Sequence, residues 1–250
     1  MKKETYYDIG IIGAGPAGIG CALTAKKENL KTVMIDKGNI VNSIIGFPQN
    51  MTFFSTADLL ELNNIPFTST SFRPTRNETI KYYQGIVKAF KLPFILDSNV
   101  QTITKVKSGF KIEYLKNGKL ENIQSRAVII ATGFYDNPNK LNIPGEDLPH
   151  VSHYYSEPFS FFGKKVIVVG GKNSAVEAAL ELYRFGAEVT MVHRKAEIKE
   201  NVKYWILPDI QNRIKAGEIK IFLNAELKEI QNNMVVINSN GKLKSVSADA

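Results

Sequence analysis

The chain has 250 residues, 44% of them apolar and 22% charged, a balance that excludes a disordered tail, a collagen-like repeat and a small disulfide scaffold. Lysine and arginine outnumber acidic residues 32 to 24, a formal charge of +8, which suits nucleic acid, a membrane surface or a polyanionic small molecule without choosing among them. One cysteine, Cys21, excludes an intrachain disulfide and a CxxC pair, and His150, His153 and His193 lack the spacing of zinc ligands.

In chain order, Lys2 and Lys3 ahead of the small and apolar run 9–25 imitate an export leader, with Gly20-Cys21 resembling a lipoprotein cleavage site. Glu4 and Asp8 stand where an uncharged or basic lead-in belongs, and the glycines have a better explanation. No stretch is apolar for long enough to span a bilayer, so a cytoplasmic protein is expected. Tyr6–Ile12 reads as a buried strand, Pro16–Lys27 as a helix and Thr32–Ile35 as a second strand. Residues 40–72 show no clean period and read as a long functional loop. Thr75 caps a helix running to about Lys91, with Glu78 three residues on to complete a capping box.

Residues 100–125 read as a small antiparallel sheet with turns at 107–109 and Asn117-Gly118. The run 127–131, AVIIA, reads as a strand covered on both faces. Residues 137–163, with Pro138, Pro144, Pro149 and Pro158, form the candidate linker. A second strand–helix–strand unit follows, with Lys165–Val169 as strand, a helix near 174–185 and Glu188–Val192 as strand. A helix around 203–216 and short strands complete the chain. The fold class is α/β, with two Rossmann-like domains of the three-layer ββα type, spanning 1–150 and 151–250.

The chemistry sits in two glycine motifs. Gly13-Ala14-Gly15-Pro16-Ala17-Gly18 lies directly between strand and helix. Gly13 permits the tight turn, Gly15 lets backbone amides approach a pyrophosphate, and Gly18 allows close helix–strand packing. The helix start offers free amide donors to phosphate, and Asp36 ends the second strand where an adenosine ribose would donate to it. Val169-Gly170-Gly171-Lys172-Asn173-Ser174-Ala175 repeats the arrangement. Gly13 to Asp36 and Gly170 to His193 are both 23 positions, so His193, Arg194 and Lys195 replace the acid. Basic groups there pair with a 2′-phosphate that a carboxylate would repel, so the second site should prefer NADPH over NADH. Lys172 departs from the usual second glycine. Two such sites imply a hydride donor and an acceptor, NADPH and FAD.

With Ala131-Thr132-Gly133 closing the first unit, the chain resembles the thioredoxin-reductase-like flavoproteins. It is most similar to their bacillithiol-disulfide-reductase-like branch, through residues 51–56 (MTFFST), Ile65-Pro66-Phe67, Pro74-Thr75-Arg76, Val151-Ser152-His153-Tyr154-Tyr155 and residues 170–175 (GGKNSA). In that branch Lys172 is a regular feature. The resemblance implies FAD held by Gly13, Gly15, Pro16, Ala17, Gly18, Asp36, Lys37, Ser43, Thr52, Ser55, Val100, Ala131, Thr132 and Gly133. It implies NADPH held by Gly170, Gly171, Lys172, Asn173, Ser174, Ala175, His193, Arg194 and Lys195. Electrons would pass to a low-molecular-weight thiol disulfide, in the service of redox homeostasis. The branch carries a cysteine where Ala17 stands, so a cysteine mechanism does not transfer, and Cys21, one turn on, reads as packing. Members also return from the NADPH domain to complete the FAD domain, and this sequence stops about where that return begins, which reads as a fragment lacking its C-terminal return segment.

Phe53 and Phe54 read as core if the flavin loop is set aside. His153 and Tyr154 are candidates for the nicotinamide side, and Lys203-Tyr204-Trp205 reads as packing of an amphipathic helix or a cover for NADPH. Basic residues are scattered, which argues against nucleic acid; no membrane partner and a possible homo-oligomer complete the expectations. A flavin-dependent monooxygenase or NADPH oxidase uses the same two nucleotides and stays open, as does a non-catalytic nucleotide-binding sensor.

Overall fold

The structure, a computed structural model, describes residues 6–198 and 202–250; Lys2, Lys3 and Glu4 of the leader-like segment lie outside them. The chain packs as two units, Met1–Asn137 and Pro138–Ala250. Among the described residues no helix is long and apolar enough to cross a membrane.

The first unit comprises β1 (Tyr6–Ile12), α1 (Pro16–Lys27), β2 (Thr32–Ile35), the single turn α2 (Asn42–Ile45), α3 (Arg76–Ala89), β3 (Phe94–Ile95), β4 (Ser98–Val106), β5 (Gly109–Lys116) and β6 (Lys119–Ile130). They form one sheet in the order β3-β2-β1-β6-β5-β4. β1 runs parallel to β2 and to the far half of β6, while β4, β5 and the near half of β6 are antiparallel. The expected antiparallel strand and the apolar run after it are therefore one continuous strand. Ile11, Met34, Ile19, Leu23, Tyr83 and Ile86 pack between sheet and helices. Ile12, Val33 and Ile35 face the other way onto Ile112, Tyr114 and Ile123 of the antiparallel strands. Coverage of the run 127–131 on both faces does not hold to its end: Ile130 is 62% exposed. Pairing of β5 with β6 stops at Ser125, so among the described strands the far half of β6 pairs with β1 alone.

Local chemistry explains the helix ends. Thr75 accepts from the Glu78 N–H and the Glu78 carboxylate from the Thr75 N–H, the expected capping box. α1 closes with Asn29 at φ +56, the Leu30 N–H reaching back to the Ala25 carbonyl, a left-handed C-terminal cap.

The second unit repeats the plan. β7 (Lys165–Val169), α4 (Asn173–Arg184), β8 (Glu188–Val192), α5 (Leu207–Lys215) and β9 (Lys220–Phe222) precede a meander of β10 (Ala225–Ile230), β11 (Met234–Ser239) and β12 (Lys242–Ser247). β7, β8 and β9 are parallel, and β10, β11 and β12 antiparallel. Beyond β12 the chain bonds to β7, the Ile167 N–H donating to the Ala250 carbonyl and the Asp249 N–H to the Lys165 carbonyl; in the first unit β6 runs beside β1 in the same way. From Pro138 onward the candidate linker packs with this unit: Ile143, Leu148 and Val151 lie against its core, and the Ile230 N–H donates to the Pro144 carbonyl. The helix expected from 203 begins only at Leu207. Pro208, pre-set for a first turn and unable to sit deeper in a helix, dictates that start. Lys203, Tyr204 and Trp205 thus form the turn before it, with Tyr204 78% exposed and its ring edge-on to Trp205.

Candidate functional site

In the first motif, Gly13 has φ +107, and a Cβ there would lie 2.3 Å from the Ala131 carbonyl oxygen; one on Gly18 would lie 2.0 Å from the Gly13 oxygen. Strand, turn and helix therefore touch backbone to backbone. Gly15 is the N-cap of α1, at φ −77 and ψ −178, and no side chain caps it. The first helical bond is from the Ile19 N–H to the Gly15 carbonyl, at 2.9 Å. The Ala17 and Gly18 N–H groups thus have no acceptor within the helix, and Pro16 has no N–H to satisfy. A Cβ on Gly15 would meet no heavy atom within 4 Å. Free donors beside open space are what a pyrophosphate requires, so these residues fit a dinucleotide.

Asp36 accepts from the Ala14 N–H on one oxygen (2.8 Å) and from the Gly38 N–H on the other (2.9 Å). Each oxygen retains a lone pair for a ribose hydroxyl. Lys37 is ion-paired to Asp136 at 2.9 Å, which neutralises the cation beside Asp36.

The second motif has the same backbone and the opposite charge. Gly170 stands at φ +139 and donates to the Val192 carbonyl, as Gly13 does to Ile35. Lys172 is the N-cap of α4 at φ −101 and ψ −178, also without a side-chain cap. It adopts the backbone of Gly15 with no strain, so its departure from glycine concerns only the side chain, which is exposed. Asn173 Oδ1 accepts from the Lys203 N–H at 2.8 Å, while Ser174 and Ala175 complete the first turn. The His193 ring lies on the turn, where a Cβ on Gly171 would come within 2.6 Å of it. Burial first, then Lys195 and Arg194, push the imidazole below its usual range. Arg194 is exposed.

A further correspondence was invisible in the sequence. The Asp36 N–H donates to the Ile95 carbonyl, and the His193 N–H to that of Phe222. Asp97, at φ +51, donates to Gly38, and Asn224, at φ +47, to Lys195; Ser98 and Ala225 then bond back to Asp36 and His193. Each meander breaks register at an equivalent place, between Val100 and Thr102 and between Leu227 and Glu229. On this frame Arg194 matches Lys37, and Leu227 matches Val100.

The remaining residues expected on the flavin side are reached by a strap. The Phe53 N–H donates to the Pro74 carbonyl and the Arg76 N–H to that of Met51, with Thr52 bridged to Thr75. The Arg76 guanidinium donates to the Ile44 and Ile45 carbonyls at the end of α2, whose N-cap, Val41, donates to Ala14 of the first motif. Ser43 and Thr52 are thereby tied to one framework, and the Arg73 guanidinium donates to the Phe54 carbonyl just before Ser55. Phe53 packs against the helix-side core, as does half-buried Cys21, while Ala17 is exposed on the first turn of α1, as are Thr132 and Gly133 after β6. His153 faces buried Glu146 at 3.5 Å, a carboxylate held below its usual range by the Leu141 N–H and then that of Asn142.

The profile of the pyridine nucleotide-disulphide oxidoreductases matches residues 10–249. The chain belongs to this family. It is 40% identical over 233 residues to the bacilliredoxin reductase Bdr of Bacillus subtilis (strain 168), covering 93% of this chain and 71% of that one. The bacillithiol disulfide reductase Bdr (YpdA) of Bacillus cereus superposes with a TM-score of 0.96 at 35% identity, over 98% of this chain and 76% of that one. Thioredoxin reductase of Bacillus subtilis (strain 168) is 33% identical over 80% of this chain and 57% of its own. The sequence resemblance and the fold class are thus borne out, and this member of the family is an oxidoreductase of the thioredoxin-reductase-like group, whose cofactors are FAD and NADPH.

Proposed function

We propose that the chain is a flavin-dependent reductase that draws electrons from NADPH and delivers them to a small disulfide, with bacillithiol disulfide as the first substrate to test. The observation that carries this reading is the pair of matched cradles with opposite charge at matched positions: Asp36 with a neutralised Lys37 in one, His193 with Arg194 in the other. FAD, when bound, supplies a centre that accepts a hydride and gives up two electrons.

The first unit holds FAD. The Ala17 and Gly18 N–H groups and the positive end of α1 face its pyrophosphate, Asp36 accepts from its ribose, and Val100 lies where its adenine would rest. Ser43, Thr52 and Ser55, steadied by the strap, bear on the flavin side. The second unit holds NADPH. The first turn of α4 begins without proline, so the Asn173, Ser174 and Ala175 N–H groups all precede the first helical bond, from Val176 to Lys172. That is one more donor than α1 offers. With His193 biased towards its neutral form, the 2′-phosphate falls to Arg194 and Lys195. The one cysteine in the sequence, Cys21, packs against core, so electrons pass to the disulfide with no thiol relay within this chain. The reaction would suit a reducing compartment such as the cytoplasm.

The test is anaerobic NADPH oxidation by the FAD-loaded protein with bacillithiol disulfide, cystine, glutathione disulfide and a quinone offered in turn. Turnover highest with bacillithiol disulfide is expected. Turnover confined to the quinone would overturn the disulfide assignment.

A further inference from the structure

The sheet of the first unit carries the glycine motif at one end and a second concavity at the other. A cleft of about 290 Å³ opens where β1 and β2 begin and α1 and α3 finish. Tyr7 of β1 lines it, and Gly13 lies six residues further along, so about 20 Å of extended chain separates the cleft from the pyrophosphate cradle. Two like helix ends build it. Past left-handed Asn29 the Leu30 N–H returns to the Ala25 carbonyl, and past Lys91, at φ +47, the Leu92 N–H returns to that of Val87. Caps of this kind turn the next side chain back onto the helix, and Leu30, Leu92 and Pro93 form the apolar walls. The Lys26 ammonium crosses from α1 to donate to the Phe90 carbonyl at the end of α3, at 2.7 Å, and joins the two walls.

Charge, depth and size together define what the cleft can take. None of its lining residues is acidic, while Lys26, Lys31 and Lys91 bring three ammonium groups to it. Lys26 keeps further N–H donors beyond the one on Phe90, and the Lys31 ammonium lies 4.9 Å from the centre of the Tyr7 ring. The Asp8 carboxylate is occupied by the Lys31 backbone N–H and by Arg126. Lys91 holds a left-handed position where α1 uses asparagine, so capping alone does not call for a lysine there. At the floor, Thr32 is 4% exposed and its hydroxyl makes no hydrogen bond with a described residue. Among the described residues, enclosed side-chain atoms without a partner occur only at Ser125 and Asn238; the Thr32 hydroxyl is therefore open to the cleft it lines and can donate to a ligand oxygen. At about 30 Å³ for each water-sized group, the volume holds about ten heavy atoms.

We propose that this cleft is a binding site for a small carboxylate on an apolar body, an organic anion of about ten heavy atoms such as a medium-chain acid. Its hydrocarbon lies between Leu30, Leu92 and Pro93, and its carboxylate meets Lys31, Lys91 and the Thr32 hydroxyl. Apolar walls with a few convergent polar groups are the ordinary make-up of a small-molecule site.

The test is calorimetric titration of the protein, loaded with FAD and saturated with NADP⁺ so that both cradles are filled. Octanoate is the probe, with octan-1-ol to remove the charge and acetate to remove the hydrocarbon. One octanoate per chain should bind, roughly tenfold tighter than either control. The doubly substituted Lys31→Gln, Lys91→Gln protein, altered only at exposed side chains, should keep its melting temperature and lose most of that preference over octan-1-ol. Thr32→Val, of the same shape, should weaken octanoate about threefold and leave octan-1-ol unchanged. Octan-1-ol binding as tightly as octanoate, or octanoate binding equally to the lysine variant, overturns the anion site. Absence of saturable octanoate binding overturns it as well. Tight binding of a peptide of alternating aspartate and leucine, with none of octanoate, would transfer the cleft to a protein partner and overturn the small-molecule assignment.

Discussion

Gly15 and Gly18 lie three residues apart in one motif, and the structure separates what each is for. A Cβ on Gly18 would sit 2.0 Å from the Gly13 oxygen, about 1 Å inside the shortest tolerable contact, and that oxygen is backbone in a turn already pressed against Ala131. Gly18→Ala must push α1 off β1, a strain in the overpacking range of about 1–3 kcal/mol. Gly15→Ala places its methyl in open space at φ −77, which any residue adopts, so the fold should not register it. The methyl then fills the approach to the Ala17 and Gly18 N–H groups. Losing two charge-assisted bonds at the low end of their range, partly recovered by water, costs about 2–3 kcal/mol, or roughly 30- to 160-fold in FAD affinity. Thermal unfolding of the apoprotein and fluorescence titration with FAD read the two effects separately. Gly15→Ala should keep its melting temperature and lose FAD, and Gly18→Ala should lose both. An unchanged FAD affinity in Gly15→Ala would refute the assignment of this helix start to a pyrophosphate.

Arg194→Ala should weaken NADPH by about 1.5–3 kcal/mol, roughly 10- to 150-fold, and barely touch NADH; equal losses would show that Arg194 meets no 2′-phosphate. Glu78 is held down to about 2, chiefly by the Thr70 N–H and then the Thr75 N–H. The stability it adds is present above the ordinary carboxylate pKa and is lost as pH falls towards 2. Glu78→Gln should therefore cost about 1 kcal/mol at pH 7, after allowance for solvent screening, with urea midpoints converging as pH drops below 4.5. Glu177 behaves oppositely, because burial and then the Glu181 charge push it up to about 7. Its protonated form suits the fold, so stability falls as pH rises from 4.5 to about 7 and then levels. Glu177→Gln should gain about 1–3 kcal/mol over the parent across that window, and parallel pH profiles would contradict the burial of that carboxyl.

The sequence read most clearly where a requirement is local. Glycine at 13 and 18 is demanded by backbone contacts within a few residues, the capping box by Thr75 and Glu78 alone, and the Asn-Gly turns by their own left-handed angles. What stayed hidden depends on partners distant in the chain. β3 is two residues long and exists only because β2 offers it an edge. The continuity of β6 was masked because its neighbours change from β5 to β1 midway, and its pattern changes with them. The Lys37–Asp136 pair and the Arg76 grip on α2 join residues far apart in sequence. Asp97 and Asn224 gave a faint signal, since both residue types tolerate positive φ, and it became legible only once their hydrogen bonds were seen to match. Arg194 was found by its spacing from Gly170, whereas its match to Lys37 needed the hydrogen bonds of Asp97 and Asn224.

The most direct measurement is an anaerobic titration of the FAD-loaded protein followed in the visible flavin band. One equivalent of NADPH per flavin should bleach the band, NADH should do so only at much higher concentration, and added bacillithiol disulfide should restore the colour without oxygen. A flavin that stays oxidised in excess NADPH, or that stays bleached in the presence of the disulfide, would contradict the account.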